Sequence, residues 1–164
     1  MSIRHNRNNE PALSGIGNPA HGLFVRRNGH PGPCDNQPSN QMKTAVIIIS
    51  DPKGGEEALA RVFNALAVAA EGKQAGDEVE VSFIGTGTRW PAELSKISHP
   101  ANSLYNEIRD RVVGASCACA AVFGATEGLH ACGIEEKKDN TAAGPTGQLS
   151  LRHYFSGDWQ VLIF

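Results

Sequence analysis

Four apolar runs along the chain have the length and composition of strands. Residues 44–50 form a continuous β-branched run, which is typical of a strand covered on both faces of a parallel sheet. Residues 78–84 alternate polar and apolar side chains, residues 113–117 are small and mostly apolar, and residues 159–164 form a last apolar run. We expect these four segments to pair in one sheet.

The longest segment between these strands has the pattern of an amphipathic helix. Glu56 and Glu57 place negative charge in its first turn, where the helix dipole favours it. Apolar residues then recur at i, i+3, i+4 and i+7, which gives one stripe that can lie on the sheet. The stripe consists of Leu59, Val62, Phe63, Leu66 and Ala70, and the helix is expected to end between Gly72 and Gly76.

The remaining connections predict shorter helices and so set the fold class. Pro91 is expected to start a helix that ends near His99, and Asn102 to cap another that runs through Val112. Residues 125–132 and 149–155 indicate two more helices, separated by a polar loop over residues 135–147. Because strands and helices alternate, the sequence predicts an α/β three-layer sandwich with a mainly parallel sheet of four to five strands.

Residues 1–41 differ from the rest of the chain. They hold five of the nine prolines and show no periodic apolar pattern. Such a segment buries too little apolar surface to offset the entropy of ordering it, so we expect a disordered tail before an α/β domain over residues 42–164. Met42 stands directly before the first strand, and a start of translation at Met42 is the alternative interpretation of the tail.

Composition and charge exclude several classes of protein. The net charge of −2 is spread without a basic patch, so we expect no nucleic-acid partner. No apolar stretch approaches the roughly 20 residues that cross a bilayer, so we expect no membrane contact. We therefore predict a cytoplasmic protein, in which cysteines stay reduced unless they are catalytic or redox-active.

Cys117 and Cys119 lie where the third predicted strand ends. Open α/β sheets place their chemistry at the carboxyl ends of the strands, and a reactive thiol needs a cation or a helix N-terminus that lowers its pKa. Lys53 and Arg89 follow the first and second strands, so a parallel sheet is expected to bring them to the same edge as the thiols. We favour Cys119 as the reactive thiol because it lies closer to the predicted start of the next helix.

The loops after the first two strands are the expected pocket. Asp51, Lys53 and Gly54 follow the first strand. Gly85, Thr86 and Arg89 follow the second, in a loop that we expect to be flexible. Neither loop has the spacing of a phosphate-binding or dinucleotide-binding motif, so we expect no nucleotide, no other cofactor and no bound metal.

The order of these motifs resembles the DsrE/DsrF-like family. The resemblance covers residues 42–164 and rests on the β-branched first strand, Asp-Pro-Lys-Gly-Gly, the loop Gly-Thr-Gly-Thr-Arg-Trp-Pro-Ala-Glu-Leu, and the cysteine-bearing third strand followed by Phe-Gly-Ala. It implies a compact flavodoxin-like α/β sandwich, a homo-oligomer, and sulfane sulfur carried on Cys117 or Cys119 between a donor and an acceptor protein. The apolar last strand, an edge that needs covering, also favours a homo-oligomer.

Two functions remain open from the sequence. One is a sulfur carrier with the reactive thiol at Cys119, or at Cys117 as second choice or resolving partner. The other is a binding or assembly module in which the same pocket holds a small ligand or a metal without turnover, and both thiols are then packing residues. Cys132 and His130, near the end of one predicted helix, are interpreted as packing and surface residues, and no full tetrahedral ligand set accompanies them.

Overall fold

A computed structural model of the protein describes residues 41–142 and 144–164. The predicted tail therefore lies outside the described residues, apart from its last residue, Gln41. Gln41 donates a hydrogen bond from Nε2 to the carbonyl oxygen of Gly76, at 2.7 Å. In the described part of the chain no helix combines the length and the apolar character that a membrane span requires.

Five parallel strands form one sheet, which confirms the predicted fold class. The order across the sheet is β4-β3-β2-β1-β5, so the chain builds outward from β1 to one edge and then returns to the other side of β1. In the centre, Lys43 to Ile48 pairs in register with Glu78 to Phe83. The strands are β1 (Lys43–Ile48), β2 (Glu78–Phe83), β3 (Val112–Ser116), β4 (Glu136–Lys137) and β5 (Trp159–Ile163).

Helices cover both faces of this sheet. The longest one, α1, has two acidic residues in its first turn and ends at Gly76, whose φ of 83° is favourable only for glycine. The helices are α1 (Gly55–Ala75), α2 (Trp90–Leu94), α3 (Asn102–Ile108), α4 (Cys117–Phe123), α5 (Thr126–Cys132) and α6 (Arg152–Phe155).

Alternate side chains of β1 enter two different cores. Val46 and Ile48 are fully buried in the larger core, beneath α1 and the helices that follow it. Ala45 and Ile47 are equally buried on the other face, where Tyr154 of α6 covers them. A strand buried on both faces explains the continuous β-branched run in the sequence.

Several predicted helices are shorter than the sequence pattern indicated. The helix after Asn102 ends at Ile108 instead of running through Val112, which is the first residue of β3. Asn102 does not cap it, because it is already the first helical residue and its Oδ1 accepts from the side-chain amide of Asn106 at 3.1 Å. The helices expected near His99 and over 149–155 are only Trp90–Leu94 and Arg152–Phe155. The residues beyond these bounds form turns, irregular segments or, at Val112, a strand, so periodicity overstated the helices.

The predicted boundary between the third strand and the next helix is wrong. β3 ends at Ser116, and Cys117 already belongs to α4, so both cysteines are helical rather than at a strand end and in a loop. Alanine-rich segments favour helix strongly, and small apolar residues alone do not distinguish a strand from a buried helix. A second helix, α5, then follows Gly124.

Two segments expected to be loops have regular structure. Residues 85–89 form a 3-10 helix rather than a flexible loop. Gly87 lies against β1 so closely that a Cβ atom there would overlap the carbonyl oxygen of Ile48. In the predicted polar loop over 135–147, Glu136 and Lys137 pair with Ala115 and Ser116 and form the strand β4. The carboxyl edge of the sheet is therefore built from short, ordered turns.

Candidate functional site

The turn after β1 holds Asp51 and Lys53 in fixed positions. Asp51 caps the 3-10 turn Pro52–Gly54, since its Oδ1 accepts a hydrogen bond from the backbone N–H of Lys53 at 3.0 Å. Gly54 leaves little room beside the following helix, because a Cβ there would come within 2.9 Å of the Ala58 Cβ. The turn leaves Lys53 exposed at the carboxyl end of β1.

Arg89 ties this turn to two other parts of the chain. Its Nη1 donates to Asp51 Oδ2 at 2.7 Å, and its Nε donates to the carbonyl oxygen of Phe123 at 2.9 Å. The guanidinium also lies 5.7 Å from the centre of the Phe123 ring. The Arg89 and Asp51 side chains are only 25% and 28% exposed, so this ion pair is stronger than a fully solvated one. Arg89 thus joins the loops after β1, β2 and α4.

A cavity of about 570 Å³ opens beside this ion pair. Of the sequence-predicted pocket residues, Lys53 and Arg89 line it, and Asp51 lies behind them in contact with Arg89. Its other walls are mainly apolar and aromatic. The remaining lining residues are Pro52, Gly55, Leu59, Trp90, Ala92, Glu93, His99, Phe123, Gly124, Ala125 and Gly128.

Gly85 and Thr86, also predicted for the pocket, are not among the residues lining this cavity. Thr86 donates from Oγ1 to the carbonyl oxygen of Ile49 at 3.1 Å, and Gly85 has a φ of 58°, which glycine adopts without strain. Both residues fix the turn that carries Arg89, and their contribution to the cavity is therefore indirect.

His99 and Phe123 were missed as site residues by sequence reasoning. His99 Nδ1 accepts from the backbone N–H of Ala101 at 3.2 Å, and its ring meets Trp90 edge-on with centres 6.0 Å apart. Phe123 is the last residue of α4 and supplies both a ring and a carbonyl to Arg89. The only local signal was that each precedes a helix-breaking residue, Pro100 or Gly124.

The two cysteines do not join Lys53 and Arg89. Cys117 and Cys119 are both partly exposed free thiols in the first turn of α4, and neither is among the residues that line the cavity. The helix carries only its far end, at Phe123, to that cavity. The structure therefore brings together Asp51, Lys53 and Arg89 but not the predicted thiols.

Cys117 faces a carboxylate instead of a cation. Its Sγ donates to Glu136 Oε2 at 3.4 Å, from the neighbouring edge strand. Partial removal from water, this hydrogen bond and the negative charge of Glu136 together raise the pKa of the Cys117 thiol, while Lys138 opposes the shift. Cys117 is thus held as a neutral thiol near pH 7, the opposite of an activated thiolate.

Cys132 and His130, which the sequence indicated as packing and surface residues, both lie in α5. Cys132 is half-buried, packs against the larger core and contacts the carbonyl of Leu129. His130 is exposed in the last turn of the helix. Across residues 41–142 and 144–164, no three His, Cys, Asp or Glu side chains come together as a possible metal site.

Comparison with known proteins finds one curated relative at a significant level of similarity. The uncharacterized protein MJ0733 of Methanocaldococcus jannaschii is 27% identical over 121 residues, which is 74% of this chain and 94% of that protein. No family model matches the chain, and no solved structure matches it significantly. The relative's name states no activity.

Proposed function

We propose that the protein binds a small organic anion in the cavity beside Lys53 and Arg89. The observation that supports this best is that two cationic side chains line a cavity with both polar and apolar surface, at the carboxyl ends of two parallel strands. Crevices at the carboxyl ends of strands are the usual ligand sites of open α/β sheets.

The charge balance of the walls favours an anion. Arg89 is paired with Asp51, and Glu93 is paired with Lys96 at 2.6 Å. Lys53 has no ion-pair partner within the described residues, so its charge stays available to a ligand. The cavity therefore carries an excess of positive charge at the Lys53 end.

The size and the lining favour a ligand with an apolar part. About 570 Å³ lies within the range of small-molecule sites, roughly 300–1,000 Å³. Leu59 and Phe123 are partly exposed and present apolar and aromatic surface to it. A carboxylate with an aromatic or aliphatic body satisfies both parts of the cavity.

Titration with benzoate, followed by NMR, tests this proposal. We expect Lys53→Met to weaken benzoate binding roughly fivefold or more, because a charge-assisted hydrogen bond is lost. Lys138→Met is the matched control: it removes the same charge from an exposed residue outside the cavity and should leave the affinity unchanged. Benzoate binding that is absent, or equal in wild type and Lys53→Met, would refute an anion site here.

Sulfur carriage on Cys119 is the second candidate. It is supported by the partial exposure of this thiol and by the absence of a carboxylate partner for it in the described part of the chain, in contrast to Cys117. In this proposal a donor persulfide passes its outer sulfur to the Cys119 thiolate and leaves as a thiolate itself. The reaction needs a reduced Cys119 thiol, as a reducing compartment such as the cytoplasm maintains. It also needs a donor protein and an acceptor protein.

Mass spectrometry after treatment with a persulfide donor separates this candidate from simple ligand binding. One added sulfur atom, about 32 Da, is expected on the wild-type protein and not on Cys119→Ser, while Cys132→Ser serves as the control that keeps it. An adduct that survives when Cys117 and Cys119 are both replaced, or that never forms, removes the sulfur-carrier candidate and leaves the anion site as it stands.

We also propose that the protein assembles as a homo-oligomer through β5. Within the described residues this strand pairs only with β1, and its five residues carry no charge that would protect the free edge. Leu162 and Ile163 are 37% and 60% exposed on it. Light scattering should show an oligomer at micromolar concentration, and Leu162→Lys should shift it toward the monomer. A wild-type monomer under these conditions would contradict the proposal.

A further inference from the structure

A second, apolar cavity adjoins the anion site. It encloses about 320 Å³ along the exposed side of α1 and is lined by Glu56, Leu59, Ala60, Phe63, Asn64 and Pro100. Leu59 lines both cavities, and the adjacent residues His99 and Pro100 line one each. The two cavities therefore lie side by side and share Leu59 as a wall, and we call the pair the α1 groove, from Lys53 to Phe63.

The far end of the α1 groove exposes apolar surface that the sequence pattern assigned to the core. Phe63 belongs to the predicted apolar stripe of α1, yet 46% of it is exposed, whereas Val62 and Leu66 are fully buried. Leu59, Ala60 and Pro100 adjoin Phe63 in this cavity, so its wall is almost wholly apolar, as the walls of small-molecule sites usually are.

The charges along the α1 groove differ between its two ends. Lys53 and Arg89 line the first cavity. The second cavity has one charged lining residue, Glu56, in the first turn of α1, and its far end at Phe63 and Asn64 has no charged lining residue. A ligand with a single negative charge is therefore oriented with that charge at Lys53. A ligand with a negative charge at both ends places the second charge against apolar surface with no cation to pair it.

We propose that the anion bound in this groove is a linear medium-chain monocarboxylate. Its carboxylate lies at Lys53 and Arg89, and its aliphatic chain runs past Leu59 and over Phe63. The inference rests on the anion site proposed above and names the class of its ligand. It follows from the adjacency of the two cavities, the cationic side chains that line one of them and the almost wholly apolar wall of the other.

Binding of unbranched carboxylates of increasing length tests the inference. Each fully buried methylene tightens binding by up to about fourfold, and a groove open on one side should give roughly half of that free energy, or about twofold per methylene. From butanoate to octanoate we thus expect the affinity to rise about tenfold or more. Octanedioate, of the same length, should bind more weakly than octanoate because its second carboxylate would lie on apolar surface without a cationic partner.

Two variants locate the effect in the apolar part of the groove. Phe63→Ser should flatten the dependence on chain length while butanoate still binds, and Ala60→Asp should do the same by adding a charge to the groove wall. Val122→Ser is the matched control, because Val122 is 76% exposed and lines neither cavity. Both changed residues are exposed, so folding is expected to be retained.

The outcomes separate this inference from the anion site itself. An affinity that is equal for butanoate and octanoate, a chain-length dependence unchanged in both groove variants, or octanedioate binding as tightly as octanoate overturns the inference. Binding of butanoate and benzoate that depends on Lys53 would then still support the anion site. Loss of all anion binding in the wild type overturns both proposals.

Discussion

Replacing Tyr105 by Phe should stabilise the protein. Tyr105 lies in α3 with no exposed surface, and its hydroxyl has no hydrogen-bond partner among the described residues. A buried polar group left unpaired costs roughly 1–3 kcal/mol, and the small gap left by the missing oxygen offsets part of the gain. We expect the free energy of unfolding to rise by about 1 kcal/mol and Tm by about 3–6 °C, measured by urea and thermal denaturation.

Tyr154→Phe is the matched control, because it also removes a tyrosine hydroxyl, but one that forms a hydrogen bond. Tyr154 donates to Glu80 Oε2 at 2.6 Å, so its loss should lower the free energy of unfolding by about 1–3 kcal/mol. Opposite signs for the two variants are the expected result. A Tyr105→Phe protein that is less stable than wild type by more than about 1 kcal/mol would refute the account of an unpaired hydroxyl.

The pH dependence of the free energy of unfolding, compared between wild type and Tyr105→Phe, gives an independent measurement. Burial, together with the nearby Cys132 and against the charge of Arg109, raises the pKa of Tyr105 to about 12. Because the folded pKa exceeds the unfolded value near 10, this contribution to stability is complete below pH 10 and is lost as pH rises toward 12. Tyr105→Phe lacks that loss, so its advantage over wild type should be larger at pH 11 than at pH 8.

Two further predictions concern residues near the carboxyl ends of the strands. Glu136→Gln removes the charge beside Cys117 and should lower the pKa of that thiol, so peptide mapping after iodoacetamide treatment at pH 8 should show faster alkylation of Cys117; an unchanged rate contradicts the assignment. Gly87→Ala should destabilise the fold by about 2–4 kcal/mol, because the added Cβ overlaps the carbonyl of Ile48 and the backbone must move. Gly76→Ala, which has open space but a φ of 83°, should cost only about 1 kcal/mol, and similar costs for the two glycine variants would argue against the close contact.

The sequence was sufficient to predict four of the five strands and part of the site. The β-branched residues of β1 and the alternation in β2 have few alternatives to a strand, and parallel pairing then places the loops after them side by side. That is why the proximity of Asp51, Lys53 and Arg89 follows from the chain alone. The contact between Arg89 and Asp51 bears it out directly.

The position of the cysteines could not be predicted in the same way. Between Gly114 and Ala121 every residue is small, so neither β propensity nor helical periodicity fixes where β3 ends. The start of α4 at Cys117 places that thiol against Glu136 on β4. β4 itself exists only because two residues of a polar segment pair with the free edge of β3. These contacts join distant parts of the chain, which local patterns do not report.

The three-way attachment of Arg89 has a kinetic consequence. The guanidinium already holds the turn after β1 and the end of α4 at fixed distances, through Asp51 and Phe123. An incoming ligand then finds the mouth of the cavity assembled and has no loop to order. Preorganisation of this kind removes much of the entropic cost of association, and the encounter rate is then limited by diffusion and charge attraction rather than by a conformational step. Asp51→Ala, which removes the side-chain acceptor of the Arg89 guanidinium, would turn a preformed entrance into one that has to form each time a ligand binds.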